Sequence, residues 1–208
     1  MRWSRRTPDR LAAIDAYRFP VSVRQRLAAD NSTLTSADLD RIEAAARQWF
    51  RLAARHPKAE LTMPSRITAA LWLELARRQT DYATFCAEAF GHIFVPPPDT
   101  PGSTAGPAGR RYPALGETFR RAREDENCDP AQLPLLFRID QELAVPQGNR
   151  YLADCGGRGI CHDLPGALCL MHVTGTGRTR RFNGPFGPPP ATGYEPGGLS
   201  CSGGCGSG

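Results

Sequence analysis

Four side chains with soft donor atoms fall within eighteen positions of this 208-residue sequence: Cys155, Cys161, Cys169 and His172, spaced C-x5-C-x7-C-x2-H. Thiolate and imidazole match the tetrahedral preference of zinc, so the set predicts a structural zinc held by these four residues. Gly156, Gly157 and Gly159 would let the backbone fold tightly behind the first two sulfurs. A structural zinc contributes on the order of 10–16 kcal/mol of apparent binding free energy, which suits a region with few large apolar residues. A second reading stands beside it. C-x5-C is looser than a C-x2-C knuckle, and Cys155 and Cys169 would then pack as small apolar residues against the rest of the chain.

Other candidate groups carry less. A Cys–His nucleophile pair needs imidazole within hydrogen-bond reach of sulfur, and adjacent residues such as Cys161 and His162 usually point apart. Cys128 beside Asp129 reads as a loop thiol before Pro130, and Cys86 lies on an apolar helical stripe and reads as core. Glu124, Asp125 and Glu126 beside Arg120, Arg121 and Arg123 read as a solvated helix face. Cys201 and Cys205, in a Gly/Ser run, leave metal ligation, a disulfide and no role all open. Arg178, Arg180, Arg181, Phe182, Phe186 and Tyr194 form the nucleic-acid candidate, since arginine pairs with phosphate and aromatics stack on unpaired bases. Three arginines among Pro185, Pro188, Pro189 and Pro190 fit a plain linker better. A phosphate loop, a dinucleotide-binding glycine pattern, a nucleophile elbow and H-E-x-x-H are all absent from the sequence.

Charge and composition set the frame for these residues. The chain has 26 basic and 21 acidic side chains, and Lys58 is its only lysine. Net charge is +5 over residues 1–91, −2 over 92–145 and +2 over 146–208, so no segment concentrates the cations that phosphate binding needs. Nothing approaches the roughly 18 consecutive apolar residues of a membrane helix. Basic Met1–Arg6 is followed by Thr7 and Pro8 instead of an apolar run, so no membrane or secretory route is expected. The seven cysteines are then expected to live reduced in the cytoplasm. Composition shifts at Pro146, after which come 16 of the 21 glycines and 5 of the 7 cysteines.

Before Pro146 the spacing is helical. Pro20 separates two short helices around Arg10–Arg18 and Val21–Ala29. Thr35 and Asp38 form a capping box ahead of Leu39, Ile42, Trp49, Phe50 and Ala53, with a stop at Pro57. Ser65 caps a helix carrying Ile67, Leu71 and Leu75, and Thr80 is expected to cap the next, whose Tyr82, Phe85, Cys86, Ala89 and Phe90 share one stripe. Gly91 supplies its stop. Trp49, Trp72, Phe85 and Phe90 are expected in the core; Trp72, Tyr82 and Phe94 either line a groove or pack there too. Helical spacing returns with Leu115, Phe119 and Ala122, and again from Pro134 to Leu143. The prediction is a mainly α chain: a compact helical bundle followed by an irregular Cys/Gly/Pro-rich tail. Its parts are an N-terminal helical part (1–95), a Pro/Gly-rich connection (96–109), the last helices of the same domain (110–145) and the tail (146–208). A small metal module would occupy 155–172, and the part ending at Val145 is expected to fold by apolar burial alone.

Several of these segments occur in a known order: Gln48-Trp49, Met63-Pro64-Ser65-Arg66, Leu71-Trp72-Leu73-Glu74, Thr80-Asp81-Tyr82 with Phe85-Cys86, and Phe90-Gly91. Asp125-Glu126, Asp129-Pro130, Leu133-Pro134, Leu136-Phe137 and Asp140 follow. Over residues 36–155 the chain resembles the bacterial branch of the glycine-rich-domain-containing-protein-like family, which implies a helical fold and little biochemistry. In that family a His follows the helix Trp, an Asp precedes it by three residues, and His-His-x-Pro follows Phe-Gly. Here Leu73, Ala69 and Val95-Pro96 stand at those positions, with Pro98 retained. None of these can ligate or titrate, so any such site is lost, and nearby His92 reads as a surface or helix-end residue.

The sequence thus reads as a non-catalytic binding or scaffold module for an unidentified protein partner, in which any metal would be a structural zinc on Cys155, Cys161, Cys169 and His172 in the tail. The alternatives are a weak single-stranded nucleic-acid binder using residues 178–194, and an enzyme whose site the sequence does not group, for example around His92, Asp99 and Cys128.

Overall fold

The computed structural model describes residues 6–95, 108–129, 132–154 and 167–173. Helices α1 (Arg6–Ala16), α2 (Val21–Asp30), α3 (Ser36–Arg55), α4 (Arg66–Ala76) and α5 (Gln79–Ala89) come first, followed by α6 (Ala108–Glu126) and α7 (Leu135–Glu142). Two short strands, β1 (Arg150–Leu152) and β2 (Ala167–Cys169), and α8 (Leu170–Val173) complete the order. The described chain is mainly α.

Helix α3 is the axis, packed against α1, α4, α6 and α7. Its start is local chemistry. The Asp38 N–H donates to the Thr35 hydroxyl oxygen at 3.2 Å and the Thr35 N–H to the Asp38 carboxylate at 2.9 Å, the capping box its sequence predicts. Leu39, Ile42, Trp49 and Phe50 then fall on its buried face. Phe50 meets Trp72 edge-on at 5.9 Å and Phe85 at 4.9 Å, and Trp49 lies 5.9 Å from Trp72. Trp49, Trp72, Phe85 and Phe90 are all buried, as expected.

Helix α4 begins where Ser65 accepts the Thr68 N–H at 3.1 Å. Helix α5 departs from expectation: Thr80 does not cap it. The helix starts at Gln79 with Arg78 at the cap position and no capping side-chain bond. Asp81 in its first turn, paired with Arg78 at 3.3 Å, supplies the negative charge that the helix dipole favours there. Gly91 ends the helix as predicted, at φ +77°, with its N–H reaching back to the Cys86 carbonyl at 2.9 Å. A Cβ there would lie 2.8 Å from an Arg10 guanidinium nitrogen, which can swing aside, so the backbone conformation carries the penalty. Gly91→Ala is expected to cost about 1 kcal/mol, read as a lowered midpoint in urea denaturation.

The expected connection 96–109 lies outside the described residues except Ala108 and Gly109, which open α6. Packing onto the helices continues past Val145. β1 and β2 pair in parallel, Tyr151 opposite Leu168 and Leu152 opposite Cys169, with β1 against α7 and α8 against α6. Tyr151, Ala153, Cys169 and Leu170 are buried, and one compact unit spans Met1–Arg178. The apolar residues after Pro146 are too few for a core of their own, and the helical core absorbs them instead.

Candidate functional site

Of the predicted zinc ligands, Cys169 ends β2 as a free thiol, 4% exposed, and His172 lies on the backbone of α8. Cys155, Cys161 and the His172 side chain lie outside the described residues, as do 178–194, Cys201 and Cys205. Among the described residues no group of three or more His, Cys, Asp or Glu side chains is placed to hold a metal.

A buried polar constellation forms instead around Asp140, which is 2% exposed on the inner face of α7. Its carboxylate accepts the Ser65 hydroxyl at 2.7 Å, the Arg66 N–H at 2.8 Å and the Ile67 N–H at 3.3 Å. These are the free donors of the α4 N-terminus, where a negative charge is favoured by the helix dipole. A fourth donor, the Asn149 N–H at 3.0 Å, comes from the approach to β1. Beside it the Pro64 carbonyl accepts from the Asn149 amide at 2.7 Å and the Tyr151 hydroxyl at 3.0 Å. Burial, with Asp140 nearby, pushes the Tyr151 phenol well up, so it stays a donor. The start of α4 and the α7–β1 stretch, more than seventy positions apart, therefore share one carboxylate and one carbonyl.

A second node sits at the start of α7, where Pro134 offers no capping side chain. Buried Gln48 accepts the Leu136 N–H at 3.0 Å and donates to Glu126 at 3.1 Å. Glu126 also accepts the Leu135 N–H at 2.6 Å and Arg138 at 3.0 Å. Burial alone would raise the Glu126 carboxyl, but the Leu135 N–H, Arg138 and Gln48 together outweigh it and hold it below its ordinary 4.5. A lowered carboxyl stabilises the fold above its unfolded value, and that contribution is lost as pH falls through the folded value. Burial and Arg121 also lower the His56 imidazole from 6.5, so falling pH below that value destabilises as well. Stability is thus expected to decline from about pH 6.5 downward, and faster below about 4.5. Glu126→Gln should be less stable than the parent near pH 7, with the gap closing by about pH 3 in urea melts.

The solvated-face reading of the α6 carboxylates holds for Glu124, which pairs with Arg120 and Arg121 at the surface beside Glu117. It does not hold for Asp125, whose side chain is 2% exposed and pairs with Arg51 at 3.0 Å and with Arg55. The reason is the neighbouring helix. Glu43, Arg47, Arg51 and Arg55 recur every four residues along α3, and Arg51 also reaches Asp15 of α1 at 2.9 Å. Arg47 donates to the Tyr17 carbonyl at 2.9 Å and to Glu43 at 3.1 Å, and Glu43 also takes Arg24 of α2.

The remaining candidates are structural in place. Cys86 is fully buried in the core, and burial, then Glu126, pushes the Cys128 thiol up, away from the reactive thiolate. His92 is exposed just past α5, its Nδ1 3.2 Å from the Phe90 carbonyl. Trp72 donates to the Tyr82 hydroxyl at 2.8 Å, Tyr82 donates to the Phe94 carbonyl, and Phe94 stacks on Trp72 at 5.0 Å. Trp72 and Tyr82 are buried in the core, and Phe94 packs against it partly buried. Two surface hollows of about 350 Å³ each are lined by Glu126, Gln132, Leu133 and Arg138, and by Arg77 to Asp81.

The sequence reading missed the joining roles of Gln48, Glu126, Asp140, Asn149 and Tyr151. The one local signal was Asp140 itself, a charged residue four positions after Leu136 and next to Ile139 on an apolar stripe. A family model described as UCP032817-like matches residues 9–169. The chain belongs to the UCP032817-like family. The UCP032817-like match runs from α1 to Cys169, the last residue of β2, and so takes in both nodes. No curated protein and no solved structure matches the chain.

Proposed function

We propose that the chain is a non-catalytic binding or scaffold module of the cytoplasm, presenting a helical body to a protein partner and carrying a structural zinc on Cys155, Cys161, Cys169 and His172. The observation that supports this reading most is where the carboxylate charge is spent. Glu43, Asp125, Glu126 and Asp140 each bind donors from another helix or a helix end, which uses their lone pairs for architecture. The Tyr17 phenol, pushed up to about 12 by burial and then by Asp81, and the raised Cys128 thiol are poor bases and nucleophiles near neutral pH. The likeness to the glycine-rich-domain-containing-protein-like family belongs to the same proposal, with Ala69, Leu73, Val95 and Pro96 leaving that corner nothing to titrate. The zinc rests on donor chemistry and spacing.

Native mass spectrometry of the intact chain recovered from its own host tests these elements together. The expected species is a complex of fixed stoichiometry with a protein, carrying one zinc per chain. A chain that returns alone with a small-molecule substrate contradicts the module. Retained RNA that high salt removes moves the function to residues 178–194. Zinc-free folded protein with Cys155 and Cys161 open to alkylation removes the metal.

A further inference from the structure

Between α7 and β1 the chain takes the left-handed conformation at two residues that carry a Cβ, Ala144 at φ +47° and Gln147 at φ +56°. Ala144 closes α7 in a Schellman motif: its N–H reaches the Gln141 carbonyl at 3.2 Å and the Val145 N–H the Asp140 carbonyl at 2.9 Å. Glycine usually fills that place, because a Cβ is strained there. The Gly148 N–H turns the chain again onto the Val145 carbonyl at 2.8 Å. Beyond this double turn the helices that take up the contacts are α7 and α6, with Tyr151, Ala153 and Leu170 reaching the core from there. Asn149 and Tyr151 bind Asp140 and Pro64, the Tyr151 ring sits edge-on to Phe137 at 5.1 Å, and α8 rests on α6. Helix α3, by contrast, is held by four other helices. Segments with narrow attachment open at lower free energy than the elements packed on several sides.

We infer that β1, β2 and α8 form a strap that detaches from the helical body as one unit, hinged at Ala144–Gln147, while α3 and α4 stay folded. Detachment uncovers Phe137 and the Pro64 carbonyl. The inference does not depend on the function proposed above. Gly148 is the handle on it. A Cβ there would stand 2.9 Å from the Val145 carbonyl oxygen and 3.0 Å from the Asp140 Cβ, neither of which is a flexible end, so Gly148→Ala must push the strap outward. Tyr151→Phe removes only the hydroxyl bond to Pro64 and keeps the ring.

Hydrogen exchange of the full chain, followed by mass spectrometry, provides the test. Peptides covering Asn149–Asp154 and Leu168–Val173 are expected to exchange together and faster than Ile42–Leu52. Both variants should accelerate the strap peptides about fivefold to tenfold and leave Ile42–Leu52 within about twofold. Strap and α3 peptides exchanging at one common rate in the parent would overturn the inference. Equal acceleration of both in Tyr151→Phe would overturn it too, even if Gly148→Ala does not fold.

Discussion

Asp140→Ala is expected to destabilise the fold by about 3–5 kcal/mol, a large share of the stability of a domain this size. The loss is more than one hydrogen bond. The Ser65 hydroxyl and the N–H groups of Arg66, Ile67 and Asn149 all donate to this carboxylate, and removing it leaves the three N–H groups without this acceptor in a site that is 2% exposed, while the Ser65 hydroxyl keeps only Thr68 Oγ1 at 2.8 Å. The α4 terminus also loses the negative charge its dipole favours. Asp140→Asn has the same shape but one acceptor oxygen, and its amide would face backbone donors, so it should cost about half as much. Urea denaturation of the two variants beside the parent reads both numbers. A cost below about 1 kcal/mol for the alanine variant would mean the node is peripheral to stability.

The second large effect belongs to Trp72. Trp72→Ala should cost about 3–5 kcal/mol, because it empties the space between Trp49, Phe50 and Phe94 and the surroundings collapse only in part. It also takes a donor from the Tyr82 hydroxyl, whose burial pushes the phenol well up. Trp72→Phe separates the two contributions. It keeps most of the apolar volume and loses the indole N–H, while Tyr82 still donates to the Phe94 carbonyl. A cost of about 1–2 kcal/mol, measured by the same denaturation, is expected for that change.

These two residues also show what the sequence made legible. Trp72 lies on a stripe of Leu71 and Leu75, and helical periodicity alone assigns it to the core. The Thr35, Ser65 and Gly91 boundaries were legible for the same reason, since each is decided by residues within a few positions. Asp140 was visible only as a charge on an apolar stripe, because its partners Ser65, Arg66 and Ile67 stand more than seventy positions away. β1 and β2 escaped because three residues are too few for an alternating pattern to emerge. Asp125 and Glu126 misled because local arginines imitate a solvated face, while the partners that matter are Arg51 and Arg55 on α3 and the N-terminus of α7. Thr80 misled differently: a hydroxyl of the right type sits one residue inside a helix that begins without a side-chain cap. Several residues of the ordered motifs, among them Gln48, Pro64, Ser65, Tyr82, Glu126 and Asp140, carry the polar contacts that cross between elements.

The helical body is completed by residues after Val145, through Asp140, Pro64 and the buried Tyr151 and Leu170. Comparing chains that end at Val145 and at Arg178 with the full-length protein in urea tests that claim most directly. The chain ending at Arg178 should match the full-length midpoint, and the one ending at Val145 should lose several kcal/mol, at about 25 cal/mol per Å² of apolar surface uncovered plus the bonds to Asp140 and Pro64. Equal midpoints for all three chains would contradict the claim and return the boundary to Val145.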